Sequence, residues 1–115
     1  MKESACALIE EKKEILLVLE NNGTWSFPGG KKEINETLED TAVRETFEET
    51  GLKISIARKL GYYSYDNTQK HVFVGKISGG NLKQGKWFPI EDVLNAKIPL
   101  KRKYIPLALR DYLSH

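Results

Sequence analysis

Apolar positions along this chain follow two rhythms. Ile15 to Leu19 is an unbroken apolar run of strand length, which predicts a central strand covered on both faces. Ser4 to Glu10 predicts a strand before it, with Glu11-Lys12-Lys13 as the polar turn between them. Asn22-Gly23 predicts a tight turn, after which Trp25 and Phe27 share a face of a short strand. From Leu52 to Tyr65 the alternation is longer: Ile54 and Ile56 first, then Tyr63 and Tyr65 on one face. Asp66-Asn67 predicts a hairpin turn, His71 to Ile77 the return strand, Ser78 to Asn81 a loop, and Lys86 to Phe88 another short strand. Helical spacing predicts a helix from about Leu38 to Thr50, with Val43, Phe47 and Thr50 on its core face. Pro89 suits the first position of a short helix through Leu94. A last helix starts at Pro106, with Ile105, Leu109 and Tyr112 at helical spacing. Strands and helices without regular alternation predict an α/β (α+β) fold with a mixed sheet.

The 38–50 helix has legible ends. Thr37 and Asp40 form a capping box, and Gly51 stands where a left-handed C′ residue belongs, with Leu52 folding back onto Phe47. Its outer face is costly. Glu45, Glu48 and Glu49 are neighbours at spacings of three and four, each like-charged pair costing roughly 0.2–0.5 kcal/mol. Glu48 and Glu49 also occupy the last turn, where the helix dipole prefers cations. A divalent cation reverses both terms, because Mg²⁺ takes carboxylate oxygens together with water and phosphate. Arg44 adds a planar fork of donors beside the cluster. Taken alone, Glu-x-x-Glu-Glu describes a solvated acidic face. The preceding Phe27-Pro28-Gly29-Gly30 changes that reading, since paired glycines let the backbone approach a metal or phosphate closely.

Gly30, Glu36 and Arg44-Glu45-Thr46-Phe47-Glu48-Glu49-Thr50-Gly51-Leu52 together resemble the Nudix box, Gly-x5-Glu-x7-Arg-Glu-U-x-Glu-Glu-x-Gly-U, where U is bulky and aliphatic. Every Gly, Glu and Arg position of the pattern is filled; Thr46 stands at the first aliphatic one. The resemblance implies one Nudix domain over residues 1–115, an α/β/α sandwich with the box as loop–helix–loop. It also implies Mg²⁺, with Mn²⁺ as a substitute, held against the diphosphate linkage of a nucleoside diphosphate derivative that water cleaves. Carried onto this chain, Glu48, Glu49, Glu45 and the Gly29 carbonyl are the expected metal ligands. Glu45, Arg44 and Glu48 are the expected catalytic residues, and Glu36 supports the helix start by pairing with Arg44. Many family members carry a further acidic residue in the loop before the last strand. Asn81 to Lys86 has none, which turns attention to Glu45 as general base, or to Glu33.

Trp25 to Gly30 resembles the entry to the box in MutT-like nucleoside triphosphate pyrophosphohydrolases, so the expected reaction is (d)NTP to (d)NMP and pyrophosphate. ADP-ribose or diadenosine polyphosphate hydrolysis is the alternative within the family. A Nudix-type module that binds nucleotide without cleaving it is the alternative outside catalysis. Phe27, Gly30, Tyr63 and Trp87 are candidate substrate contacts; an aromatic–base stack is worth roughly 1–3 kcal/mol, although each aromatic here also suits core packing. His71 is read as exposed or structural, and Lys101-Arg102-Lys103 as a solvated basic turn.

Composition adds limits. A net charge of +2 is too mild to argue for nucleic acid, and no apolar run reaches membrane-span length. The N-terminal residues carry no signal-peptide pattern, and a single cysteine, Cys6, suits a reducing compartment, so a cytoplasmic location is expected. The expected partner is a small nucleotide; monomer and homodimer both stay open.

Overall fold

The computed structural model describes residues 1–114. The strands are β1 (Lys2–Leu8), β2 (Glu10–Glu11), β3 (Glu14–Leu19), β4 (Trp25–Ser26), β5 (Gly29–Lys31), β6 (Leu52–Tyr65), β7 (Thr68–Gly80) and β8 (Lys86–Pro89). The helices are α1 (Leu38–Thr50), α2 (Ile90–Leu94) and α3 (Tyr104–Leu113). One sheet runs β5-β1-β7-β6, with β1 and β7 parallel and the outer pairs antiparallel. In the second sheet β3 pairs with β2, β4 and β8, all antiparallel.

Alternate residues of β1 and β3 face opposite layers. Cys6, Leu8, Ile15 and Leu17 pack with Ile105 and Leu109 of α3 and Val93 of α2. Ala5 packs with Ala42 of α1, and Ala7, Ile9 and Leu16 form a cluster against which Val43 of α1 packs. Both strands are therefore buried on two faces, which explains their continuous apolar runs. The result is a sandwich with α1 on one side and α2 and α3 on the other. No described helix is long and apolar enough to cross a membrane.

The predicted bounds of α1 and β6 are those observed. The capping box is present: Thr37 Oγ1 accepts from the Asp40 amide, and Asp40 accepts from the Thr37 amide. Gly51 takes φ 86°, and its amide donates to the Phe47 carbonyl. Four local readings need correction. The first strand spans Lys2–Leu8 rather than Ser4–Glu10, because β7 pairs with it from Lys2 onward and the chain turns into β2 at Glu10. Gly79 and Gly80 extend β7 instead of forming a loop, paired with Lys53 and Leu52. α3 begins two residues before Pro106, which falls in the first turn where its missing N–H costs nothing.

The fourth correction concerns the inner face of α1. Phe47 is 48% exposed, and Thr41, Ala42, Thr46 and Thr50 are buried in its place. α1 lies against the small side chains Ala5 and Ala7 of β1, where short residues fit and a phenyl ring does not. The buried Thr50 hydroxyl is satisfied by donating to the Thr46 carbonyl at 2.6 Å. Leu52 joins Ala7, Leu16 and Ile54 rather than closing onto Phe47.

Candidate active site

The local sequence aims α1 at a glycine-edged strand. β5 pairs with β1 through Cys6↔Gly29 and Ala5↔Gly30, and α1 packs across both strands. Glu45 and Glu49, four residues apart, thereby meet the backbone of Gly29 and Gly30. The Gly29 amide donates to Glu49 Oε1 at 2.7 Å. A Cβ on Gly30 would overlap the Glu45 carboxyl group, whereas a Cβ on Gly29 would collide with the Ala5 carbonyl and Cys6. The two glycines thus serve different ends: one leaves room for a carboxylate, the other for the neighbouring strand.

Behind this edge Arg44 gathers the remaining acids. Its Nε and Nη2 donate to the two Glu36 oxygens at 3.0 and 2.8 Å, a bidentate pair. Nη2 also reaches the Lys31 carbonyl at 3.2 Å, and Nη1 lies 3.1 Å from Glu48 Oε1 and 3.5 Å from Glu45 Oε1. Glu33 stands 3.2 Å from Nε and points into solvent. Glu36 further accepts from the Glu33 amide and the Thr41 hydroxyl, so it pins loop to helix, the role the resemblance implies for it.

Arg44, then the Glu33 amide, holds the Glu36 carboxyl at about 2, below its ordinary 4.5. A depressed carboxyl contributes stability above pH 4.5 that is lost as the pH falls through 4.5 toward 2. Glu36→Gln is therefore expected to flatten the acid-unfolding curve in that window, measured by far-UV circular dichroism. Parallel curves for variant and parent would contradict the clamp.

The carboxylates facing the glycines behave oppositely. Burial pushes Glu49 up to about 7, opposed by the Gly29 amide and reinforced by Glu45 and Glu20. Burial also raises Glu45, opposed by Arg44. Two partly desolvated acids side by side favour a bound cation. Among the described residues no group of three or more acids, histidines or cysteines forms a ready-made metal cage. Two or three carboxylates, completed by water and substrate phosphate, suit Mg²⁺ better than an all-protein cage does. The donor set therefore fits a hard divalent ion.

A cleft of about 300 Å³ opens beside this edge. Phe27, Gly29, Gly30 and Glu49, site candidates from the sequence, line it, and so do Glu20, Lys70, Lys101 and Arg102, which the sequence reading misses as site residues. Glu20 Oε1 pairs with Lys101 Nζ at 2.9 Å, and its Oε2 accepts from Ser26 Oγ at 2.9 Å. Lys101 and Arg102 are thus cleft residues, which corrects the solvated-turn reading. Glu48 faces a separate opening, shared with Glu49, Trp25, Gln84 and Gly85. The Asn81–Gly85 loop is tied to the end of α1 by its Asn81 and Lys83 amides, donating to the carbonyls of Gly51 and Thr50.

The outlying aromatics separate from the box. Tyr63 lines a larger cleft of about 670 Å³ at the β6–β7 hairpin, with its hydroxyl on Asp111 and its ring stacked on Tyr104. Trp87 packs against the Ala7–Leu16 cluster, opposite Leu16. His71 is buried, between Lys59 Nζ at Nδ1 and Glu3 at Nε2, which is a structural position. Cys6 is buried in β1, and burial pushes its thiol up to about 11, so it is no nucleophile.

The family model described as the NUDIX domain matches residues 2–108. A Bacillus subtilis protein named provisionally as an 8-oxo-dGTP diphosphatase is 38% identical over 76 residues, covering 64% of this chain and 51% of that protein. Mouse diphosphoinositol polyphosphate phosphohydrolase 3-alpha is 33% identical over 125 residues, covering 90% and 75%. A crystal structure of an ADP-ribose pyrophosphatase from Streptococcus suis superimposes with a TM-score of 0.81 at 28% identity, covering 99% and 92%. The chain spans about half the length of the Bacillus protein and three quarters of the mouse one. The box, the sandwich that presents it and the match over residues 2–108 agree: this chain belongs to the Nudix family.

Proposed function

We propose that this chain is a Mg²⁺-dependent pyrophosphohydrolase that converts a nucleoside triphosphate to the monophosphate and pyrophosphate. The observation that carries the reading is the pair Glu45 and Glu49, pressed against Gly29 and Gly30, with Glu49 and both glycines lining a cationic cleft. Glu48, Glu49, Glu45 and the Gly29 carbonyl would hold the ion; Mn²⁺ has the same donor preferences. When bound, the ion supplies charge neutralisation at the diphosphate.

The chain's own residues do the rest. Arg44 lies 3.5 Å from Glu45 and fixes it against Gly30, where it accepts the proton of an attacking water. The water oxygen bonds to one phosphorus as the bridging oxygen departs with the other product. Phosphoryl transfer asks mainly for such positioning and electrostatics, and this edge has both. Gln84 and Lys83 offer no carboxylate, and Glu33 is exposed beside Arg44 rather than at the glycine edge, which favours Glu45 as the base. The names of the Bacillus and mouse relatives support phosphate-rich substrates, and that of the Streptococcus neighbour supports ADP-ribose as the second reading.

Glu48→Gln separates an enzyme from a nucleotide-binding module. Turnover of a triphosphate with Mg²⁺ is expected to fall about 10- to 100-fold, with nucleotide binding in chelator unchanged. A parent protein that binds the nucleotide but does not turn it over would be a module.

A further inference from the structure

Two cations of this cleft, Lys31 and Lys70, have no side-chain partner among the described residues, and of the two Lys70 is the half-buried one. It lies on β7, opposite Ser4 of β1 and Tyr63 of β6, half-buried in the wall of the box cleft. Among the described residues it has no carboxylate within salt-bridge distance and no hydrogen-bond partner, although its charge reaches Glu20, Glu45 and Glu49 and lowers each of them. A lysine with nothing to do usually extends its head into water. This one lines a cleft with Glu49 and makes no ion pair with it.

Arg102 completes the wall. Its Nη1 holds Asp66 at 2.9 Å, its guanidinium lies 4.2 Å over the Tyr65 ring, and its Nε is buried without an acceptor. Four cations, Lys31, Lys70, Lys101 and Arg102, line the cleft against two acids, Glu20 and Glu49. Glu20 is already engaged with Lys101. A divalent ion on the box carboxylates makes the excess of positive charge larger. The cleft is therefore under-supplied with anion on the side away from the box.

We propose that Lys70 and Arg102 form a subsite for a terminal phosphate, the dianionic group beyond the scissile linkage. This rests on the pyrophosphohydrolase reading and narrows its substrate class. A terminal phosphate brings about −1.5 to −2 of charge and three acceptor oxygens. Nucleoside triphosphates have one. ADP-ribose does not, since both of its phosphates are esterified at their outer ends, so it leaves Lys70 unanswered. The subsite makes phosphate count, rather than the base, the first discriminator.

The test is calorimetric binding to the full chain in chelator, with an α,β-methylene nucleoside triphosphate, inorganic tripolyphosphate and ADP-ribose as probes. Lys70→Gln is expected to weaken the triphosphate analogue and tripolyphosphate about tenfold, leave ADP-ribose within about twofold, and be rescued in large part by Lys70→Arg. Unchanged melting temperatures establish that the variants fold. Equal losses on all three probes, no loss on any, or failure of the parent to bind the analogue would overturn the subsite. Lys70-dependent binding of the analogue in a chain that hydrolyses no triphosphate would keep the subsite and sink the hydrolase reading instead.

Discussion

Glu49→Gln is expected to cut hydrolysis on the order of 10²–10³-fold while leaving the metal-free fold at least as stable as the parent. Glu49 is the acid most removed from water at this edge, and burial pushes it up to about 7. Its charged form is supported by the Gly29 amide, which donates to it, and on the proposed reading a cation completes it. Glutamine keeps the Oε1 acceptor for that amide and removes only the charge. Without metal, the substitution therefore relieves a desolvation cost; with metal, it deletes an anionic ligand. Thermal melts with and without Mg²⁺ separate the two effects: the variant should match or exceed the parent in chelator and lose the upward shift that Mg²⁺ gives the parent. A variant that melts lower in chelator would show Glu49 to be a structural residue.

Adding one methyl group to Gly29 or to Gly30 should fail in two different ways. In Gly30→Ala the new Cβ overlaps the end of the Glu45 side chain, a flexible group that can swing aside. The protein should fold, with Glu45 displaced and turnover reduced about 100-fold, as misplacements near 1 Å cost elsewhere. In Gly29→Ala the Cβ meets the Ala5 carbonyl and the Cys6 backbone, so the β5–β1 pairing itself must open. That variant should be destabilised before activity can be compared. Melting temperature and turnover measured on both decide the matter. Equal behaviour of the two would contradict the distinction between a carboxylate gap and a strand contact.

What the sequence makes legible here is what nearby residues decide. The Thr37–Asp40 box, the left-handed Gly51 and the Asp66-Asn67 turn each depend on partners within four residues, and each forms where local chemistry predicts. The box acids are legible for the same reason: Glu45 and Glu49 share a helix face, and two glycines precede it. Phe47 shows where periodicity stops. Helical spacing identifies a buried stripe but not how closely α1 approaches Ala5 and Ala7, and that distance selects Thr46 over Phe47. The cationic half of the cleft is hidden more deeply. Glu20 meets Lys101 across 81 residues and Arg102 meets Asp66 across 36, so no spacing announces them. Lys70 is marked only by a partner it lacks. Trp87 and Tyr63, candidate substrate contacts from the sequence, are carried away from the box by β8 and the hairpin tip.

The central claim is that the Gly29–Gly30 edge and the acids of α1 cleave a diphosphate linkage in a phosphate-rich nucleotide. Product analysis with Mg²⁺ addresses it directly, across nucleoside triphosphates (oxidised guanine forms included), ADP-ribose and diadenosine polyphosphates. The account predicts monophosphate and pyrophosphate from triphosphates, lost on adding chelator, with ADP-ribose cleaved far more slowly. Cleavage of ADP-ribose alone would contradict the substrate class, and no cleavage of any compound would contradict the enzyme.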